Sequence, residues 1–263
     1  MEFFDTHSHY NDEAYDEDRK EIIEQIHKEG ITKTVVIGYN IEKSKKAIEI
    51  ANDNEFIYAA IGIHPSDIGK TEQEILLQIE KIKEILYNKK VVAIGEIGLD
   101  YHWEKENIEL QKFAFTEQIK LANKLRLPIV IHSRDAIMDT IEILKGKEVP
   151  KYSGILHCCV LNKDLIQTGI DAGLYISFAG PITFKNTKNT ELINIVPEDR
   201  LLIETDCPYL SPEPNRGKRN DSKNIKYTAQ KIAEIRGKTT EDIAQITYRN
   251  AEQVYNIKNK KNL

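Results

Sequence analysis

Short apolar runs rich in Val and Ile alternate with longer amphipathic runs along the chain. Nearly continuous apolar runs predict strands buried on both faces, as in a parallel sheet. Apolar residues at three- and four-residue steps predict helices with one buried face. The predicted strands are Phe3–His7, Thr34–Gly38, Ile57–Ile63, Val91–Gly95, Ile129–His132, Gly154–His157, Leu174–Phe178 and Leu201–Thr205. The predicted helices are Asp16–Glu29, Glu42–Asn52, Thr71–Tyr87, Ile108–Leu125, Ala136–Lys145, Lys163–Ala172, Thr187–Ile195, Asn224–Ile235 and Glu241–Tyr255.

This alternation determines the predicted fold class. Strands that alternate with helices indicate a parallel sheet, and eight such units predict a single α/β domain closed as a (β/α)8 TIM barrel. A helix is left over at the C-terminal end, and Thr239 followed by Glu241 and Asp242 predicts its N-cap. A doubly wound open sheet is the alternative. Since no linker or composition break is visible, we expect one domain over residues 1–263.

Composition narrows the class of protein. The net charge of −5 and the pI near 5.9 argue against a basic surface that wraps nucleic acid. Three cysteines are an odd number, so a disulfide framework is not expected. The chain begins without a basic region followed by an apolar segment, and no apolar stretch is long enough to span a bilayer. We therefore expect a cytoplasmic protein without a membrane partner.

Ligand-type side chains lie at the ends of several predicted strands. His7 and His9 are separated by one residue, so in a strand they point to the same face. In a (β/α)8 barrel the C-terminal ends of all strands meet at one mouth. The candidates are His7 and His9 after the first strand, Glu96 after the fourth, His132 after the fifth, His157 after the sixth and Asp206 after the eighth.

Four imidazoles and two carboxylates suit one or two divalent ions such as Zn²⁺, Mn²⁺ or Mg²⁺. Glu96 lies between two groups of histidines in the strand order, which makes it the natural bridge between two ions. Asp206 can bind a metal and also accept the proton of an attacking water. We predict catalytic roles for Glu96 and Asp206 on this basis.

Several other polar residues lie near the predicted mouth. His64 precedes Pro65 after the third strand, and Arg134 follows the fifth. Arg216 and Arg219 lie on a loop rich in cations after the eighth strand. We predict that these four side chains contact substrate phosphates. The alternatives are a turn histidine, a surface ion pair and a solvated run of charge.

The chain resembles the TatD family of metal-dependent deoxyribonucleases, which are amidohydrolase-like barrels. The matching segments are Asp5-Thr6-His7-Ser8-His9, Gly62-Ile63-His64-Pro65, Gly95-Glu96-Ile97-Gly98-Leu99-Asp100-Tyr101, Pro128-Ile129-Val130-Ile131-His132-Ser133-Arg134, Glu204-Thr205-Asp206-Cys207-Pro208-Tyr209-Leu210 and Pro214-Asn215-Arg216-Gly217-Lys218-Arg219-Asn220. These segments run through nearly the whole chain. Two stretches depart from the usual family pattern, Cys158-Cys159-Val160 and Asp221-Ser222, and neither removes a candidate ligand.

The resemblance implies how the candidates share two ions. One ion would be held by His7, His9, Glu96 and Asp206, and the other by Glu96, His132 and His157. It also implies that His64 and Arg134 line a phosphate pocket. Members of the family are similar to 3′-to-5′ exonucleases on single-stranded DNA, with Mg²⁺ or another divalent ion (Mn²⁺, Zn²⁺ or Co²⁺) supporting turnover.

Three hypotheses follow for function. The leading one is a metal-dependent phosphodiesterase that shortens single-stranded DNA from its 3′ end, acting as a monomer without an obligatory protein partner. The alternative is a metal-dependent hydrolase of a small-molecule ester, lactone or amide on the same barrel, because this fold supports many reactions. The third is a scaffold with structural metals. Neither the native metal nor a preference for DNA over RNA follows from the sequence.

Overall fold

Eight parallel strands follow one another in chain order around a single sheet. They are β1 (Phe3–Ser8), β2 (Ile31–Ile37), β3 (Ile57–Ile61), β4 (Val91–Asp100), β5 (Ile129–Arg134), β6 (Gly154–Leu156), β7 (Tyr175–Phe178) and β8 (Leu201–Ile203). The computed structural model describes residues 1–103 and 105–257. Residue 104 and the end of the predicted domain, residues 258–263, lie outside the described part.

The sheet closes where β1 meets the segment after β8. Ser8 and Cys207 form a parallel bridge, and the His9 N–H donates to the Cys207 carbonyl at 2.7 Å. The Asp206 N–H donates to the His7 carbonyl at 3.0 Å. The first and last strands are thus joined, so the (β/α)8 prediction is confirmed and the open-sheet alternative is wrong.

Helices connect most of the strands and pack on the outside of the barrel. They are α1 (Arg19–Lys28), α2 (Ile41–Asp53), α3 (Glu72–Ile85), α4 (Ile108–Leu125), α5 (Ile137–Leu144), α6 (Lys163–Asp171), α7 (Ile225–Arg236) and α8 (Thr240–Val254). Thr239 caps α8 in a reciprocal capping box with Asp242, as predicted. None of the helices in the described ranges is long and apolar enough to cross a bilayer.

The predicted helix Thr187–Ile195 is wrong. The structure has a 3₁₀ helix at Thr190–Ile195 instead, preceded by Asn189 in the left-handed conformation. This stretch is rich in Asn and Thr, whose side chains compete for backbone hydrogen bonds or lose rotamer freedom in an α-helix. The described connection between β7 and β8 is therefore built from short 3₁₀ turns, and it lies open toward the mouth.

Apolar side chains fill the barrel below the candidate ligands. A cluster of buried residues takes at least one member from every strand and continues into the C-terminal end of α8. Phe4 of β1 stacks on Tyr255 with ring centroids 6.0 Å apart, and the Tyr255 hydroxyl donates to the Thr6 carbonyl. The helix left over in the sequence pattern thus packs against the apolar core inside the barrel.

Strand β4 is longer than predicted. It runs to Asp100 with every residue buried, so Glu96 lies inside the strand and not at its end. The pairing of β4 with β5 shifts register between Ile94 and Ile97. Beyond that shift the strands approach so closely that a Cβ at Gly98 would lie 2.0 Å from the His132 carbonyl oxygen. Glycine at this position therefore lets β4 and β5 bring Glu96 and His132 together.

Candidate metal centre

Strand β1 and the segment after β8 bring together the first group of candidate ligands. The Nε2 atoms of His7 and His9 are 3.1 Å apart. Asp206 Oδ1 lies 3.4 Å from the first of these nitrogens and 3.2 Å from the second. The backbone bond between Asp206 and His7 holds the two segments in this arrangement.

Strands β5 and β6 supply the second group. His132 Nδ1 and His157 Nε2 are 3.2 Å apart, and both face Oε1 of Glu96, at 2.8 and 2.9 Å. His132 lies within β5, whereas His157 comes directly after β6. Strand ends that are far apart in sequence therefore converge on one carboxylate.

Glu96 joins the two groups through different oxygens. Its Oε1 faces His132 and His157, whereas its Oε2 lies 3.5 Å from His7 Nε2 and 3.9 Å from His9 Nε2. Sets of three ligand atoms drawn from both groups lie within 4.8 Å of one another. Imidazole nitrogens and carboxylate oxygens at this spacing are the donors that divalent ions of the zinc, manganese or magnesium kind accept. The residues present therefore fit a metal centre.

The charges of this cluster are strongly coupled. Burial by itself would raise the pKa of Glu96, but the neighbouring imidazoles of His157 and His7 hold that pKa well below its ordinary value. Burial would lower the pKa of His157, yet Glu96 and Glu204 raise it well above the ordinary value. The pKa of Asp206 is also lowered, because its histidine neighbours outweigh burial. A divalent ion must therefore displace protons from imidazoles when it binds here.

Two acidic residues contact the ring nitrogens of His132 and His157 that point away from Glu96. Asp100 Oδ2 lies 3.0 Å from Nε2 of His132, and Glu204 Oε1 lies 3.0 Å from Nδ1 of His157. Each carboxylate thus contacts the ring nitrogen that points away from Glu96, which fixes the tautomer and orientation of a metal-ligating imidazole. Neither acid was among the predicted site residues, although both belong to the matching segments. Asp100 lies four residues after Glu96, and Glu204 lies two residues before Asp206. This nearness to a candidate ligand at a strand end is the signal that could have identified them.

His64, Asp100 and His132 form a further group with ligand spacing. His132 directs Nδ1 toward Glu96 of the main centre and Nε2 toward Asp100. A neutral imidazole has one nitrogen lone pair, so this ring can be a ligand in only one of the two groups. His64 Nδ1 accepts the Ser66 N–H at 3.1 Å, which leaves Nε2 as the protonated nitrogen of a neutral ring. Burial lowers the pKa of His64 to about 3. We therefore interpret His64 as a hydrogen-bond donor beside the centre.

A buried carboxylate anchors the floor of the site. Asp5 accepts hydrogen bonds from the Thr205 N–H at 3.0 Å, the Thr205 hydroxyl at 2.5 Å and the Ser222 hydroxyl at 2.6 Å. Burial raises its pKa to about 7 in spite of these donors. Asp5 thereby ties β1, the segment that carries Asp206, and the 3₁₀ helix Ser222–Asn224 to one another.

The cluster lies at the floor of an open cavity of about 970 Å³. His64 and Arg134 both line this cavity, as the phosphate prediction requires. The Arg134 guanidinium is exposed and lies 5.5 Å from the centroid of the Trp103 ring, which lines the cavity as well. The Arg134 guanidinium therefore provides a positive charge at the mouth of the cavity that holds the candidate ligands.

Arg216 and Arg219 do not line the cavity, and their contact with phosphate stays a prediction. The Arg219 guanidinium forms an ion pair with Asp18 and donates to the Ala14 carbonyl at 2.6 Å. Arg216 packs over Phe184, with its guanidinium carbon 4.2 Å from the ring centroid. Each guanidinium group therefore contacts a residue that is distant in the sequence, Asp18 for Arg219 and Phe184 for Arg216.

Lys188 was not among the predicted site residues, and its segment was predicted to be helical. It lies on the open connection between β7 and β8 and lines the cavity. The signal for it was a Lys within an Asn- and Thr-rich stretch that a helix does not favour.

The fold and the site define the class of the protein as a closed (β/α)8 barrel with a candidate metal centre at its mouth. The sequence profile of the TatD related DNase family matches residues 4–256, and the chain belongs to this family. It is 46% identical over 256 residues to the uncharacterized metal-dependent hydrolase YabD of Bacillus subtilis, covering 97% of this chain and 99% of that protein. The uncharacterized metal-dependent hydrolase YcfH of Escherichia coli K12 is 33% identical over 210 residues, or 80% of this chain and 77% of YcfH.

Solved structures show the same relationship. The crystal structure of YJJV, a TatD homolog from Escherichia coli K12, superposes with a TM-score of 0.88 at 27% identity and covers 97% of this chain and 98% of its own. An uncharacterized amidohydrolase from Saccharomyces cerevisiae shares the fold, with a TM-score of 0.83 at 17% identity over 97% of this chain and 99% of its own. The protein is therefore a metal-dependent hydrolase of the TatD family.

Proposed function

We propose that this hydrolase is a 3′-to-5′ exodeoxyribonuclease that removes nucleotides from single-stranded DNA with the help of two divalent ions. The observation that carries the proposal is the bridging position of Glu96, which directs one oxygen to each group of histidines at the floor of an open cavity. In the first group, His7, His9, Glu96 and Asp206 would hold one ion. In the second, Glu96, His132 and His157 would hold the other. Mg²⁺ is the proposed native ion, with Mn²⁺, Zn²⁺ and Co²⁺ as alternatives.

Bound divalent ions polarise phosphoryl oxygens and make water reactive at neutral pH. Asp206 is the candidate base for that water, because its side chain is 13% exposed toward a cavity that it lines. Its lowered pKa keeps the carboxylate ionised and therefore able to accept a proton. Glu96 is more deeply buried, at 5% exposure of its side chain, which suits a ligand and not a proton acceptor from solvent.

His64 and Arg134 are the proposed phosphate contacts. The protonated Nε2 of His64 faces the ligand cluster, 3.9 Å from Glu96 Oε1, and can donate to a phosphate oxygen bound there. Arg134 can form charge-assisted hydrogen bonds with the same group from the mouth. Together they would orient the scissile phosphodiester above the ligands.

The size of the site favours a strand end as substrate. The cavity is near the upper limit of the roughly 300–1,000 Å³ that holds small ligands, so it can accept a terminal nucleotide but not a stretch of duplex. All six proposed ligands come from one chain, which supports activity as a monomer without an obligatory protein partner.

The proposal is tested with a single-stranded oligonucleotide labelled at its 5′ end. We expect stepwise shortening from the 3′ end with Mg²⁺ or Mn²⁺, none with EDTA, and none by Glu96→Gln with either ion. A circular single strand is the matched control and should stay intact, because it has no end. Failure of Mg²⁺, Mn²⁺, Co²⁺ and Zn²⁺ alike to support cleavage would overturn the proposal.

One observation favours a second candidate, a hydrolase of a small ester, lactone or amide. Much of the cavity lining is apolar, including Val160, Leu161 and Ile182, and would suit an acyl group. Arg134→Ala separates the two, because an uncharged lactone has no phosphate for the guanidinium to bind. Equal activity of the wild type and this variant on a lactone, with no DNA cleavage by either, would favour the small-molecule hydrolase.

A further inference from the structure

The cavity around the ligand cluster has two unlike halves. The loops after β2 and β3 and the end of β5 contribute polar side chains, among them Tyr39, His64, Asp67 and Arg134. The loops after β6, β7 and β8 contribute a group of apolar side chains, beside Thr187, Lys188 and Tyr209. Its members are Cys158, Val160, Leu161, Pro181, Ile182 and Leu210, and we call them the apolar wall.

Part of the apolar wall is exposed in the open cavity. Val160 is 41% exposed and Leu210 is 37% exposed, although most large apolar side chains of the barrel are buried. Leu210 has a positive φ of 53°, a conformation that is unfavourable for a bulky side chain. Contiguous apolar surface left open to water beside polar groups is typical of a ligand site.

A cation stands beside the apolar wall. Lys188 lines the same half of the cavity from the connection between β7 and β8, and its side chain is exposed. Within residues 1–103 and 105–257, its ammonium group forms no hydrogen bond or ion pair. It is therefore available to an anionic group of a ligand that rests on the apolar wall.

We propose that the apolar wall is the subsite for the base of the 3′-terminal nucleotide, and that Lys188 binds a backbone phosphate of the same strand. This inference rests on the proposed exonuclease function. A base is a flat group with two apolar faces, and burying one face on the exposed side chains of Val160 and Leu210 removes both surfaces from water. The scissile phosphate would lie at His64 and Arg134, beside Glu96. Lys188 would hold another phosphate of the strand, on the same side of the cavity as the base.

The apolar wall also predicts the specificity of the subsite. Its aliphatic and proline side chains offer no hydrogen-bonding group, and a cysteine thiol is only a weak donor. Sequence is recognised by hydrogen bonds to base edges, so contact with the apolar wall does not by itself distinguish the four bases. We therefore expect removal of A, C, G and T at similar rates.

The first experiment compares two 3′ ends on one oligonucleotide sequence. One end carries an ordinary nucleotide, and the other carries an abasic tetrahydrofuran residue. We expect kcat/KM with Mn²⁺ to be about tenfold lower for the abasic end. Binding is measured separately by fluorescence anisotropy with labelled short oligonucleotides and the inactive Glu96→Gln variant in EDTA, and the ordinary end should bind more tightly.

The second experiment makes the apolar wall polar with little change in shape. Val160→Thr exchanges a methyl for a hydroxyl, and Leu210→Asn places at a positive φ a residue that tolerates it. Both variants should lose rate on the ordinary end and none on the abasic end. Leu77→Asn, at a 57% exposed position on α3, is the matched control and should cleave both ends as the wild type does. Lys188→Ala should raise KM for both ends, because it acts on the phosphate.

The possible results test the proposed base subsite and the proposed exonuclease activity separately. Equal cleavage and equal binding of the two ends by the wild type would overturn the subsite and leave the exonuclease function intact. Preferred binding of the ordinary end without any cleavage would support the subsite and overturn the exonuclease. If the Val160 and Leu210 variants slow both ends alike, the apolar wall does not contact the base.

Discussion

Oε1 of Glu204 lies 3.0 Å from Nδ1 of His157, on the side of the ring opposite to Glu96. The same oxygen accepts the Cys158 N–H at 2.8 Å, so it fixes both the ring and the backbone that follows it. Glu204 is fully buried, and this contact spans 47 residues of sequence. Glu204, directly after β8, therefore holds in place the candidate ligand His157, which directly follows β6.

The first prediction concerns this support. Glu204→Gln keeps the size of the side chain but weakens the contact with His157, because a neutral amide is a poorer partner for a metal-ligating imidazole. We expect the affinity for Mn²⁺ to fall by about 10- to 100-fold. Isothermal titration calorimetry measures it. Glu191→Gln, at an exposed position, is the control, and an unchanged affinity in Glu204→Gln would contradict the prediction.

The second prediction concerns stabilisation by metal. An ion that binds only the folded protein should raise the free energy of unfolding by about 2.7 kcal/mol at a concentration of 100 times Kd. Glu96→Gln removes the charge that faces both groups of histidines, so most of this gain should disappear. Thermal denaturation with and without Mn²⁺ measures it. Exposed Glu72→Gln should respond to Mn²⁺ like the wild type.

The third prediction compares two arginines. Arg134→Ala should lower kcat/KM on single-stranded DNA by about 10- to 100-fold, because a charge-assisted hydrogen bond to phosphate is lost. Arg219→Ala removes an ion pair with Asp18 outside the cavity, so the unfolding free energy should fall by about 1 kcal/mol or less, with little change in activity. Steady-state kinetics and urea denaturation measure both. A loss of activity in Arg219→Ala as large as that in Arg134→Ala would contradict this expectation. It would support the predicted contact of Arg219 with a substrate phosphate.

The fourth prediction concerns Asp5 and pH. Burial raises the pKa of Asp5 from 3.8 to about 7, so between these values the folded protein binds more protons than the unfolded chain. Its contribution to stability is present below about pH 4 and is lost as the pH rises through 7, by about 4 kcal/mol at most. Asp5→Asn should therefore remove this slope. Urea denaturation in EDTA at pH 4.5 and 7.5 tests it, and equal slopes in both proteins would refute it.

The residues that became candidate ligands were visible in the sequence because barrel geometry leaves little freedom at strand ends. His132 and His157 follow runs of apolar residues that are buried on both faces, and a parallel sheet places such ends on one edge. Glu96 was also recognised, although β4 continues past it to Asp100. The end of β4 was missed because apolar pattern does not show a register shift such as the one between Ile94 and Ile97.

The sequence by itself determined the order of strands, the barrel and the ligand types, since each follows from local periodicity and from a topology with few solutions. Only the tertiary structure decided what the loops and the supporting acids do. Arg219 forms an ion pair with Asp18, which is 201 residues away in the sequence, and Lys188 lines the cavity. Such side chains are placed by the free energy of contacts with distant partners, and local pattern carries no record of those contacts.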